Sequence, residues 1–166
     1  MNLVLAATSN GDQARAYLWV FMGLALGAVI GFEREYRGHE AGIRTAALVC
    51  GGATIFTQVS VLFGDSRVAA GVVQGIGFLG AGLVIQRGRS VRGVTTATTI
   101  WVVAAIGVLV GEELWLTAVL VTGTVVVILE LAPVSNWVLE HGAPQPGHSR
   151  NDGAGTTEAA ANVREA

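Results

Sequence analysis

The stretch Gly64–Trp101, GDSRVAAGVVQGIGFLGAGLVIQRGRSVRGVTTATTIW, decides the fold class. Its centre, Val68 to Ile85, is apolar, and five of the twelve residues from Gly71 to Gly82 are glycine (Gly71, Gly75, Gly77, Gly80 and Gly82). Glycine at that density, in an apolar run long enough to cross a bilayer, points to a membrane helix, where neighbouring helices re-satisfy the backbone. An acid-and-arginine corner, Asp65 and Arg67, precedes the run. An arginine loop, Arg87, Arg89 and Arg92, follows it, and then come four threonines, Thr95, Thr96, Thr98 and Thr99.

The rest of the chain fits that solvent. Of the 166 residues, 52% are hydrophobic and 13% charged, against about 25% charged in an ordinary globular domain. Five apolar runs approach the roughly 20 residues that a spanning helix needs: residues 14–32, 46–63, 68–85, 94–111 and 114–133. The connections are short, so consecutive helices are expected to pack antiparallel. The fold expected is all-α, a polytopic bundle of five transmembrane helices over residues 14–133. Residues 1–13 form an extracytoplasmic segment, too weakly apolar for a cleaved signal peptide. Residues 134–166, rich in Gly, Ala and Pro from His141 onward, are expected to form a mostly disordered cytoplasmic tail.

Arginine counts set the orientation, because arginine-rich short loops stay in the cytoplasm. The loop after the first run holds Arg34, Arg37 and Arg44, and the loop after the third holds Arg87, Arg89 and Arg92. The other two hold Arg67 alone and no arginine. The N-terminus is then outside and the C-terminus inside. A net charge of −2 argues against nucleic acid as a partner, and the single cysteine, Cys50, excludes an intramolecular disulfide.

Gly23, Gly27 and Gly31 recur every four residues in the first run. Stacked small residues let another backbone approach closely, within the chain or across a dimer. Stepping on by four from Gly31 reaches Glu35, about 40° around the helix, so Glu35 is expected to face the bundle and to pair with Arg44 and Arg92. Glu33 is expected to pair outward with Arg37 at i+4. Asp65 reads as an N-cap of the third helix. Gln58 and Gln74 are the amide side chains inside spans, and the turn between them places both roughly 10 Å below the outer end, within reach of a mutual hydrogen bond. Glu33, Glu35 and Asp65 are the candidate metal ligands.

GFEREYRGHEAGIRTAALVCGGA and the Gly64–Trp101 stretch, continued by VVAAIG, together resemble the MgtC/SapB family of bacterial inner-membrane proteins. The resemblance combines G-x-E-R-E, A-G-[IL]-R-T, an Asp-x-Arg corner, G-I-G-F-L-G-A-G and V-R-G-[LV]-T-T-A over about residues 20–130. It implies five membrane helices and a role linked to magnesium limitation and, in some members, to survival inside host cells. Some members act on a membrane partner, the F-type ATP synthase. The family's polar positions fall on Glu33, Arg34, Glu35, Arg44, Thr45, Asp65, Arg67, Arg92, Thr95 and Thr96. Longer members carry a soluble C-terminal domain, which this sequence replaces with a tail of low apolar content.

The function expected is that of a regulatory membrane protein, not an enzyme. It is expected to need no cofactor other than a possible Mg²⁺, to act through an integral membrane complex and to form a homo-oligomer, most simply a dimer. The alternative is a transporter or channel for Mg²⁺ or another cation. Against it, Mg²⁺ dehydrates reluctantly, and the inner half of the membrane offers no acid at depth.

Overall fold

The structure is a computed structural model. It describes the backbone of residues 10–87 and 90–131 and the side chains of residues 11–84 and 93–131. The helices of the described residues lie in the compact unit Met1–Leu131, and the second unit, Ala132–Ala166, lies outside the described residues. The expected tail and Trp137, His141 and His148 therefore also lie outside them, as do residues 1–9.

Five helices follow one another: α1 (Asn10–Tyr36), α2 (Ile43–Phe63), α3 (Arg67–Leu83), α4 (Val94–Gly111) and α5 (Trp115–Glu130). Between α3 and α4 the chain forms a short antiparallel hairpin, β1 (Ile85–Arg87) and β2 (Ser90–Arg92), with Gln86 opposite Val91. The architecture is all-α apart from that hairpin. Three helices, α1, α2 and α4, are long and apolar enough to cross a membrane. Helix α1 is longer than its apolar run at both ends. Helices α3 and α5 have 17 and 16 residues, shorter than the runs that predicted them: α3 gives way to the hairpin, and α5 starts one residue later and ends three residues earlier than expected.

The core lies where α2 packs between α1 and α4. One apolar cluster gathers Ile30, Cys50, Val103, Ile106 and Val110, and a second joins Ala53, Ile76, Ile100 and Ala104. Glycines allow the close crossings. A Cβ on Gly27 would lie 2.5 Å from the Ala46 carbonyl oxygen, and one on Gly31 2.6 Å from Ile43 Cα. On the other side of α2, a Cβ on Gly107 would lie 2.7 Å from Ala53 Cβ, and one on Gly111 2.5 Å from Thr57 Cβ. These distances are shorter than side-chain carbons tolerate, so both interfaces require glycine.

Helix α3 is different. A Cβ at Gly71, Gly75, Gly77 or Gly82 would meet nothing within 4 Å, and one at Gly80 only touches Ala97. Within the chain, the glycine-dense helix that decided the fold class does not use those glycines for packing, contrary to expectation. Gly71, Gly75 and Gly82 share one open face with Phe78, which is 84% exposed.

Polar and apolar groups are distributed inside out relative to a water-soluble bundle. Phe21, Phe32, Leu120, Val127 and Ile128 face outward, while Thr54, Thr57, Thr96, Thr99 and Thr122 are buried. The buried hydroxyls are spent largely on local carbonyls. Thr122 donates to Ala118 O at 2.8 Å, Thr99 to Thr95 O at 2.7 Å, and Thr54 lies 3.0 Å from both Cys50 O and Gly107 O.

Candidate functional site

Antiparallel packing divides the candidate polar residues between the two ends of the bundle. Glu33, Arg34 and Glu35 close α1, Arg44 and Thr45 open α2, and Thr95 and Thr96 open α4 at the same end. Asp65 and Arg67 lie at the opposite end, where α2 turns into α3. There Asp65 Oδ1 accepts the Arg67 amide at 3.0 Å, but the cap position itself falls on Ser66, one residue later than expected.

At the first end the faces of α1 are the reverse of those expected. Glu33 and Arg34 are buried, at 8% and 3% exposure, and Glu35 is exposed. Helix geometry explains this. Steps of four residues drift about 40° each, so by Glu35 the stripe has rotated off the packed face. A step of seven returns to within about 20°, which carries Gly27 to Arg34. Glu35 turns back along the loop, where its Oε2 accepts the Ile43 amide at 2.9 Å and so satisfies an orphan donor at the start of α2. Among the described residues it forms no ion pair with Arg44, which is exposed, and the Arg92 side chain lies outside the described residues.

The network that does form centres on Arg37. Its Nε lies 2.8 Å from Glu33 Oε1, the expected i+4 pair, but turned inward instead of outward. Its Nη2 pairs with Glu130 Oε2 at the end of α5. One guanidinium thus bridges a buried carboxylate on α1 and a half-exposed one on α5. Beside it, Arg34 Nη2 donates to Thr96 Oγ1 at 3.2 Å, in the first turn of α4. Glu33 Oε2 and Arg34 Nε are buried without a hydrogen-bond partner. The cluster ties α1, α4 and α5 together where α2 begins.

Sequence reasoning missed Arg37 as a bridge to Glu130. The available signal was that the ends of α1 and α5 must share one face of the bundle. A second bridge, Arg15 to Glu113 at 3.2 Å, joins α1 to the turn between α4 and α5 at the other end. The Gly107/Gly111 pair, also missed, was signalled by its four-residue spacing.

The expected Gln58–Gln74 hydrogen bond does not form. Gln58 Nε2 donates at 3.2 Å to the Ala16 carbonyl on α1, while Gln74 is exposed on the outer side of α3. Glu33, Glu35 and Asp65 do not converge, and among the described residues no three His, Cys, Asp or Glu side chains are placed to hold a metal ion.

Comparison with known proteins places this arrangement in a family. The chain is 46% identical over 126 residues to Protein MgtC of Brucella abortus (strain 2308), covering 74% of this chain and 53% of that one. It is 52% identical over 91 residues to Protein MgtC of Salmonella typhimurium (strain LT2), covering 53% and 39%. An uncharacterized Synechocystis protein is 41% identical over 133 residues, covering 77% and 55%. The chain spans about half the length of the curated relatives it matches. No solved structure matches it. The MgtC family pattern matches residues 20–136, well over half of the sequence, and the chain belongs to the MgtC family.

Proposed function

We propose that this protein is a small regulatory protein of the bacterial inner membrane, that it serves adaptation to magnesium limitation, and that it acts by contact with another integral membrane complex, not by catalysis. The F-type ATP synthase is the candidate partner that the family resemblance suggests. The observation that carries the reading is the Glu33–Arg37–Glu130 bridge. An ion pair that is buried at one end and half-exposed at the other holds α5 on α1 and can be opened from outside the bundle. Charge-assisted pairs of this kind are strong where water is partly excluded, so a partner's charged group that competes for Arg37 or Glu130 can change how α5 packs.

In this reading the arginine-rich end is cytoplasmic, all five helices cross the membrane, and the chain runs from an outer N-terminus to an inner C-terminus. The open Gly71/Gly75/Gly82 face of α3 takes a second copy, since small residues let helix backbones meet in lipid. The apolar groove of about 590 Å³ between α2 and α3, lined by Gly52, Phe56, Gly71 and Gly75 among others, lies alongside that face.

The test is ATP-driven proton pumping in inverted membrane vesicles prepared with and without the chain. The reading expects lower pumping with the chain present, and relief of that inhibition by Arg37→Gln at equal membrane abundance. Unchanged pumping in both would remove the ATP synthase from the account. Mg²⁺ flux in liposomes holding the purified protein alone would replace regulation with transport.

A further inference from the structure

Two neighbouring residues of α1, an acid and a base, are buried side by side without meeting. Glu33 and Arg34 are 8% and 3% exposed. Arg37 Nε lies 2.8 Å from Glu33 Oε1, yet neither Glu33 oxygen receives an aligned hydrogen bond. Arg34 Nε is also buried without a partner, and its Nη2 reaches the Thr96 hydroxyl at 3.2 Å, the long end of the normal range. Glu33 acts on the Arg34 charge through space, but among the described residues no ion pair joins the two. A buried polar network with members left unsatisfied lies high in free energy relative to arrangements that satisfy them.

Glu33 thus has two counter-charges within reach, and they differ in where they can go. The Arg37 side chain is 29% exposed and also pairs with Glu130, so an acid at the surface can draw it outward. Arg34 is enclosed, and its present acceptor is a neutral hydroxyl. A carboxylate is the stronger acceptor for a guanidinium and takes two parallel N–H groups from it. Adjacent side chains leave a helix about 100° apart, so Arg34 can turn to Glu33 only by swinging away from α4. What keeps it on Thr96 is that Arg37 already neutralises Glu33.

We propose that Arg34 and Arg37 are alternative counter-charges for Glu33: when Arg37 is drawn outward, Arg34 turns from Thr96 to Glu33 and frees the first turn of α4. An event at the end of α5 is thereby passed through two adjacent residues of α1 to the start of α4. The coupling rests on a discrete exchange of partners, the kind of two-state element that carries a signal between sites. The relay deepens the proposed function and rests on the same bridge, but it is a property of this chain alone and needs no partner to operate.

The experiment is a double-mutant cycle on the purified full chain in detergent, read as the thermal unfolding midpoint. In the otherwise unchanged chain Thr96→Val removes the acceptor of Arg34 and should lower the midpoint by about 3 °C. In the Arg37→Gln background Arg34 has already left, so the same substitution should lower it by less than about 1 °C. Adding Glu33→Gln to Arg37→Gln removes the acid that drew Arg34 away, and the full Thr96→Val loss should return. General loosening of the bundle by Arg37→Gln cannot produce that return. Thr122→Val, at a buried hydroxyl that donates within α5, should lower the midpoint equally in every background. If Arg37→Gln does not fold, Arg37→Met, which keeps the apolar stem, replaces it with the same expectations. Equal Thr96→Val losses in all backgrounds, or none in the unchanged chain, overturn the relay. So does a loss that stays small once Glu33→Gln is added. Inhibited vesicle pumping with an additive cycle would remove the relay and keep the regulatory reading, and unchanged pumping with a coupled cycle would do the reverse.

Discussion

Arg37 joins two carboxylates that belong to different helices, and their surroundings differ. Glu33 is 8% exposed, whereas the Glu130 side chain is 57% exposed. Removing one partner of a buried pair leaves an uncompensated charge and costs about 3 kcal/mol or more, while losing a capping hydrogen bond costs about 1 kcal/mol. Glu33→Gln should therefore lower the unfolding free energy in detergent by about 3 kcal/mol, and Glu35→Gln by about 1 kcal/mol. Equal losses would mean that Glu33 gains nothing from its burial. The glycines separate in the same way. Gly27→Leu must push a side chain into the Ala46 carbonyl and Cys50, and should abolish assembly of α1 on α2. Gly71→Leu points into open space within the chain. It should leave the monomer's melting unchanged and shift only the dimer population on native gels.

At the scale of elements, arginine–glutamate pairs tie the end of α5 and the turn that precedes it to α1 and the residue that follows it. The Arg15–Glu113 side chains are 62% and 53% exposed, and exposed pairs contribute about 0–1 kcal/mol. Glu113→Gln should therefore be nearly silent in a thermal melt, whereas Glu130→Gln releases Arg37 and should lower the midpoint measurably. Reversed magnitudes would place the stronger clamp at the other end. The start of α4 depends on Gly93. Its left-handed backbone costs other residues about 1–2 kcal/mol, and any Cβ there meets the Leu83 carbonyl. Gly93→Ala should thus destabilise by more than that strain alone, measured by chemical unfolding. Length matters too: α3, at 17 residues, rises about 26 Å, short of a hydrocarbon core of about 30 Å. Its run ends in a hairpin because Ile85 and Val91 are β-branched and the arginines around them need water.

For the whole molecule, the five helices, their order and their approximate limits were legible in the sequence, because hydropathy and short loops leave little choice of topology. The stripe Gly23/Gly27/Gly31 also named the face that meets α2. Which side of α1 Glu33 and Glu35 occupy was not legible, since a four-residue step and a seven-residue step from the same glycines diverge by the last turn. The Arg37–Glu130 pair was hidden for another reason. It spans 93 positions, and no local pattern reports which helix ends meet. The partner of Gln58 was lost the same way: the hairpin suggested Gln74, but α3 turns that residue outward and α1 supplies a carbonyl instead.

The central claim is that the buried Glu33–Arg37 pair, tied to Glu130 beside Arg34 and Thr96, is the functional centre. The most direct measurement is growth under magnesium limitation of cells that depend on this protein, with each variant present at matched membrane levels. The account predicts that Glu33→Gln and Arg37→Gln lose growth, while Glu35→Gln, whose carboxylate only caps α2, retains most of it. Full growth of Glu33→Gln and Arg37→Gln, or loss in Glu35→Gln alone, would contradict it.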